Sequence, residues 1–268
     1  MVKDRAKKKK AKKQPLSLPR KIILMICLIV FFGSGAYVAK YFMENYQAED
    51  NMKEVAGLRE VSLADVYAAN NDLVGWVKVD GTKIDYPVMQ TKNEPEFYLR
   101  KDFKREYSLA GTPFMDATSN VAGTPQADAS ESTCNWLIYG HNMKSGIMFH
   151  TLLNYDDKQF YNEHPTFEFS TVQINKKTGE VTEDRGEYQV IAACYAQILS
   201  KDSKEFKYYS YADFTSEKDY NEYVKGVKAQ ACYDTGQSAE FGEQLVTLST
   251  CAYHVDNGRF YVVGRRIK

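Results

Sequence analysis

Apolar positions divide the chain into one long run near its start and many short alternating runs after it. Residues 22–39 are 18 consecutive uncharged residues, enough for a helix of about 27 Å, close to the hydrocarbon thickness of a bilayer. Residues 44–72 are mostly polar, with Val55, Leu58, Val61, Leu63, Val66 and Tyr67 spaced for one or two helices. From there the period shortens. Residues 74–79 and 83–89 flank Asp80-Gly81, a hairpin cue. Residues 112–115 and 135–139 are two further short strands, and the Ala/Ser/Thr/Gly-rich stretch 117–133 between them reads as an exposed loop. A helix is expected over 149–161, with Phe149, Leu152, Leu153, Phe160 and Tyr161 on its apolar side. A strand over 166–170, a turn over 176–180 and a long strand over 187–198 follow. Residues 216–232 place Tyr220, Tyr223, Val224 and Val227 at helical spacing, and 244–251 and 260–263 read as strands. The whole predicts a mainly β fold with inserted helices, a β-barrel elaborated by helices.

Charge sharpens the division. The chain holds 35 basic and 35 acidic residues, but ten of the basic ones lie in residues 1–21 against Asp4 alone, and Lys40 is the eleventh. The remainder is therefore acidic by ten, which argues against general nucleic-acid binding, since that needs a basic face. A basic flank before an apolar run sets membrane orientation, N-terminus in the cytoplasm and the rest outside. Ser34-Gly35-Ala36 has the look of a cleavage site for a signal peptide. The apolar run continues past it, so an uncleaved single-pass anchor is the expectation. The expected organisation is a basic tail 1–21, a signal-anchor 22–43, a helical linker 44–72 and an extracytoplasmic domain 73–268.

Outside the membrane lie Cys134, Cys194, Cys232 and Cys251, too few and scattered for a disulfide scaffold. Cys194 sits in an apolar run and reads as core, and a Cys194–Cys232 bridge stays open. No CxxC, no regular metal-ligand spacing and no cofactor motif is present.

Cys251 is different. It ends the run Thr247-Leu248-Ser249-Thr250-Cys251, with Arg259 eight residues on. A thiol at a strand end beside a fixed cation suits covalent catalysis on a carbonyl, although a buried structural cysteine is the simpler reading of composition alone. A nucleophilic thiol needs an imidazole or a positive charge nearby. Of His141, His150, His164 and His254, His141 follows Tyr139-Gly140 at a strand end, before the turn-forming Asn142, where scaffolds present reactive groups.

Together Thr247 to Cys251, Ile138-Tyr139-Gly140-His141-Asn142-Met143 and Gly258-Arg259 resemble the signature of sortases, the cysteine transpeptidases of Gram-positive cell envelopes, with class B the closest match. Residues 98–103, 114–116 and 148–149 also resemble class B segments, and the likeness covers roughly residues 60–268. It implies a sortase-like closed barrel of about seven or eight strands, with N-terminal helices and a helix before the Cys-bearing strand. It implies Cys251 as nucleophile, His141 as general acid/base and Arg259 as the oxyanion-stabilising cation. Ser249, Thr250, Tyr139, Tyr209 and Asn120 match positions that contact the sorting signal. Asp256 and Asn257 are candidates to orient His141.

The implied reaction cuts a C-terminal sorting signal, NPxTN-like or related, after Thr. It passes the acyl chain to a peptidoglycan cross-bridge or lipid II amine, so the implied partners are sorting-signal-bearing surface proteins and that amine. No cofactor is implied, and no acidic cluster supports calcium activation. The alternatives are a pilus-assembling sortase with a pilin lysine as acceptor, and a non-catalytic membrane-anchored envelope-binding module.

Overall fold

A computed structural model describes residues 17–124, 126–127, 131–214 and 216–268; most of the expected basic tail, residues 1–16, lies outside these. The chain divides into two compact units, Met1–Met43 and Glu44–Lys268. Helix α1 (Leu18–Val61) supplies the described part of the first unit, where Ile22, Leu24, Met25, Phe31 and Phe32 are exposed. By length and composition it is long and apolar enough to cross a membrane.

In the second unit the same helix buries Asn45, Ala48, Met52 and Val55. Their steps of three, four and three residues draw one stripe along a 3.6-residue period. Helix α2 (Leu63–Ala69) follows at once, capped by Ser62, whose hydroxyl accepts from the Asp65 N–H.

Eight strands then close a barrel: β1 (Leu73–Lys78), β2 (Asp85–Met89), β3 (Phe114–Met115), β4 (Asn135–Tyr139), β5 (Thr166–Ile174), β6 (Val181–Gln197), β7 (Leu245–Cys251) and β8 (Gly258–Arg266). Their order around the barrel is β1-β2-β3-β4-β7-β8-β6-β5, and β5 pairs back onto β1. Most pairs are antiparallel; β2–β3 and β4–β7 are parallel. Gly81, at φ +76, makes the β1–β2 turn that Asp80-Gly81 predicts.

Strands β7 and β8 and residues 190–194 of β6 are buried on both faces, in keeping with their largely apolar runs. One face fills the barrel with Val190, Ala193, Val246, Leu248, Phe260 and Val262. The other carries Ile191, Cys194, Leu245, Tyr261 and Val263 into a second core. Helix α4 (Glu217–Gln230) covers that second core with Tyr220, Tyr223, Val224 and Val227. Its N-cap is Ser216, whose hydroxyl accepts from the Asp219 N–H.

A buried polar link joins the two layers. Thr247 Oγ1 donates to Asn135 Oδ1 at 2.9 Å, and the Tyr223 hydroxyl lies 3.0 Å from Thr247 Oγ1. The Asn135 amide donates to the Tyr211 carbonyl at 2.8 Å.

The structure changes several expectations. The helix expected over 149–161 is two pieces, a 3₁₀ segment Phe149–Asp156 and α3 (Lys158–Glu163), because the Asp157 carboxylate caps a new helix by accepting from the Gln159 N–H. Strand β6 begins six residues early: Val181 and the mostly polar residues 182–186 extend the β5–β6 hairpin, pairing Ile174 with Val181. The stretch 117–133 is not simply exposed. Ser119, Asn120, Val121 and Thr124 are buried, held by bonds such as Trp136 Nε1–H to the Asn120 carbonyl at 3.0 Å. Cys194 is in the core as expected, and no bridge to Cys232 forms; both thiols are free.

Thr247→Val keeps the shape of the side chain but leaves Asn135 Oδ1 without its donor in a fully buried place. The melting temperature of the full chain is expected to fall by roughly 2–10 °C, from about 1–3 kcal/mol for an orphaned buried acceptor. An unchanged melting temperature would show that the link between the layers contributes nothing.

Candidate active site

Parallel pairing of β4 with β7 carries Tyr139 alongside Ser249. Two residues on stand His141, just past the end of β4, and Cys251, the last residue of β7, so the parallel pairing delivers both to the same rim. Period-2 alternation sorts the Cys-bearing run. Thr247 and Ser249 turn toward the second core, where Ser249 Oγ lies 2.7 Å from the Tyr208 hydroxyl. Leu248 fills the barrel, and Thr250 Oγ1 donates to the Gly140 carbonyl at 2.7 Å. Cys251, half-buried, reaches the rim.

Arg259 is the direct partner of Cys251 across the β7–β8 ladder. Directly opposed residues share a face, with Cβ atoms about 4.5–5.5 Å apart. The connection makes this register: Asn257 adopts φ +55, a left-handed turn that Asn tolerates, and the Ala252 N–H donates to the Gly258 carbonyl at 3.0 Å. A side chain at Gly258 would strike the Ala252 carbonyl.

His141 enters through Gly140, where an added Cβ would lie 2.6 Å from the Phe149 ring. His141 Nε2 is 2.9 Å from the Leu99 carbonyl oxygen. A carbonyl only accepts, so Nε2 carries the hydrogen and Nδ1 of the neutral ring keeps its lone pair. Burial pulls the His141 pKa below its ordinary 6.5; the Leu99 carbonyl opposes this and the charge of Arg100 adds to it. Asp256 and Asn257 do not orient the ring. The Asp256 side chain is exposed, and its carbonyl accepts from Gln197 Nε2.

These residues open onto one groove of about 390 Å³, shared by Tyr139, His141, Tyr209, Cys251 and Arg259. Ser249 and Thr250 line it as well, with their hydroxyls already engaged. Tyr209, and not Tyr208, faces the groove. Its hydroxyl accepts from the Leu199 N–H at 2.9 Å, while Tyr208 is buried and its ionisation is pushed up to about 12 by that burial. Asn120 is not in the groove. It is buried elsewhere, its Oδ1 accepting from Lys92 Nζ at 3.2 Å.

Asp116, part of the 114–116 segment that resembles class B sortases but given no role there, lines the groove and accepts from the Tyr139 hydroxyl at 3.1 Å. Burial, reinforced by that carboxylate, pushes Tyr139 ionisation far up, so the phenol stays a neutral donor. Leu99 and Phe114 form apolar wall.

The other histidines have local partners. His150 Nδ1 bonds Asn142, His164 caps α3 and packs on Phe160, and the His254 ring lies against Tyr195. Burial raises the thiol pKa of Cys134, Cys194 and Cys232, which favours their inert protonated form.

Known proteins match the chain over most of its length. Sortase B of Listeria monocytogenes is 30% identical over 263 residues, spanning 92% of this chain and 96% of that protein. Sortase B of Staphylococcus aureus is 27% identical over 259 residues, spanning 92% and 95%. A solved Staphylococcus aureus sortase B–substrate complex superposes with a TM-score of 0.67 at 26% identity, over 84% of this chain and 99% of that one. Clostridium perfringens sortase B superposes with a TM-score of 0.62 at 26% identity, over 77% and 100%. No family model matches the sequence. With a closed eight-stranded barrel, a helix before the Cys-bearing strand and relatives matched over nearly their full length, the chain belongs to the sortase B family and is a cysteine transpeptidase.

Proposed function

We propose that Cys251 is the nucleophile, His141 the general acid/base and Arg259 the oxyanion-stabilising cation of a reaction that cuts a sorting signal after Thr. The observation that carries this reading is the pairing of Cys251 with Arg259 across β7–β8, with His141 at the same rim, in the same groove. As the Cys251 sulfur attacks the Thr carbonyl carbon, its thiol proton passes to the free ring nitrogen of His141, and negative charge gathers on the carbonyl oxygen. A guanidinium opposite the thiol is placed to stabilise that charge, and it does not titrate. Collapse breaks the C–N bond as His141 protonates the departing amine, leaving a thioester on Cys251. An incoming amine then attacks the thioester, His141 takes its proton, and the thiolate leaves.

Tyr139, Tyr209, Ser249 and Thr250 are proposed to contact the signal, an NPxTN-like peptide, and the acceptor to be a cell-wall amine. The proposed placement follows the apolar run of α1. Residues 22–43 anchor the chain with its basic end in the cytoplasm and residues 73–268 outside, beyond the linker 44–72. The relative of known structure from Staphylococcus aureus was solved as a substrate complex, which supports a peptide in this groove.

Incubation with NPxTN-like and PPxTG-like peptides, read by mass spectrometry, tests the substrate and the thiol together. An acyl adduct on Cys251 that is absent from Cys251→Ala is expected; an adduct that survives the substitution would point to another nucleophile. Arg259→Lys should lower kcat by roughly 100-fold with the fold intact, because a point charge replaces a rigid fork. Turnover near that of the parent would remove Arg259 from the chemistry.

Acid sensitivity follows from His141. Its folded pKa lies below 6.5, so the unfolded chain binds more protons in the window just under that value. Stability from keeping this ring neutral is complete above pH 6.5 and is lost as pH falls through the folded value. His141→Gln should show a shallower loss of melting temperature below pH 6.5 than the parent. Equal slopes would show that the buried ring is not responsible.

A further inference from the structure

Main-chain pairing between β4 and β7 stops at Tyr139 opposite Ser249, with one more bond from the Gly140 N–H to the Ser249 carbonyl at 3.0 Å. Past this point the chains part. Residues 140–148 fold back on themselves, with Asn142 opposite Met148 and the Phe149 N–H donating to the His141 carbonyl at 2.9 Å. Cys251 meanwhile leads into the exposed turn 253–257. Two side chains continue the seam where the ladder ends. Thr250 holds Gly140, and Asn142 Nδ2 donates to the Cys251 carbonyl at 2.9 Å.

The Asn142 amide is itself held. A carbonyl only accepts, so the atom facing Cys251 is the amide nitrogen and the amide oxygen points the other way. That oxygen lies 2.7 Å from His150 Nδ1, which must donate. His150 reaches it because the fold-back lays residues 148–150 beside 141–142. The result is a chain of two hydrogen bonds, from His150 to Asn142 to the main chain of the cysteine.

We propose that Asn142 is a positioning residue for the transpeptidation, tying the backbone of Cys251 to that of the neighbouring His141 and so fixing the thiol against the imidazole, with His150 orienting the Asn142 amide. This rests on the assignment of Cys251 as nucleophile. Asn142 follows His141 directly, so its side chain bridges the two functional strands at the one level where their main chains no longer touch. Misplacement of a reacting group by about 1 Å costs on the order of 100-fold in rate. Substrate contacts along the groove are unaffected by the tie, so its loss acts on kcat.

Asn142→Asp has nearly the same shape but no N–H to give, and its oxygen faces the Cys251 carbonyl. The full chain carrying it should form acyl-enzyme from a sorting-signal peptide about 10- to 100-fold more slowly, with KM within about twofold of the parent. His150→Leu should lose several-fold in kcat, and His150→Gln, which retains an amide N–H for the Asn142 oxygen, should recover most of it. A kcat within twofold of the parent for Asn142→Asp overturns the proposal, as does a loss in both His150 variants alike or one that appears only in KM. Should Asn142→Asp fail to fold, the two His150 variants decide the matter alone. A parent enzyme that forms its adduct on Cys251 while Asn142→Asp is unchanged removes the tie and leaves the nucleophile; a parent with no adduct on Cys251 removes both.

Discussion

Because β4 and β7 run parallel, both strands end at the same rim of the barrel, with Cys251 the last residue of β7 and His141 two residues past the end of β4. A parallel pair cannot be joined by a tight turn, so the chain between residues 139 and 245 must leave that rim and enter β7 from the opposite end of the barrel, beside Asn135. The chain uses the excursion to build β5, β6 and α4. Antiparallel β8 then returns from β7 through a short turn and sets Arg259 against Cys251. The three side chains come from the end of β4, from β7 and from β8, which stand side by side in the barrel.

Rigidity of that rim comes from below. Strands β6 to β8 lie between two apolar cores, with tyrosines from α4 and the preceding segment packed on the outer side. Tyr208 stacks on Tyr261 with ring centres 3.9 Å apart, and its hydroxyl meets Ser249 two residues before the thiol. Tyr223 does the same for Thr247. Two alternate residues of the Cys-bearing strand, Thr247 and Ser249, are thus pinned by buried phenols. Large aromatic area and a satisfied polar tip act on the same strand.

What could be read from the sequence follows from which partners carry a pattern. Residues 135–139 and the helix within 216–232 were legible because a short apolar run and helical spacing are local patterns. The early start of β6 was not, since residues 182–185 are polar and extend a hairpin that both faces leave partly to solvent. Asp157 ends one helical segment and starts another, a break that apolar spacing over 149–161 does not register. Buried Asn120 looked like loop because its burial depends on Trp136 and Thr133, contacts made only in three dimensions. In the groove, Cys251, His141 and Arg259 stood out by residue type and order. Asp116 did not, being one acid among many until Tyr139 is seen to donate to it.

His141 takes its orientation from the carbonyl of Leu99, an atom that every amino acid carries. The Leu99 side chain, by contrast, is part of the groove wall. Position 99 therefore separates two inheritances within one residue: the backbone steers the imidazole, and the side chain shapes the wall. Substitution there leaves the carbonyl in place, so lineages can drift in the contour of the groove while the proton-handling ring keeps its bearing.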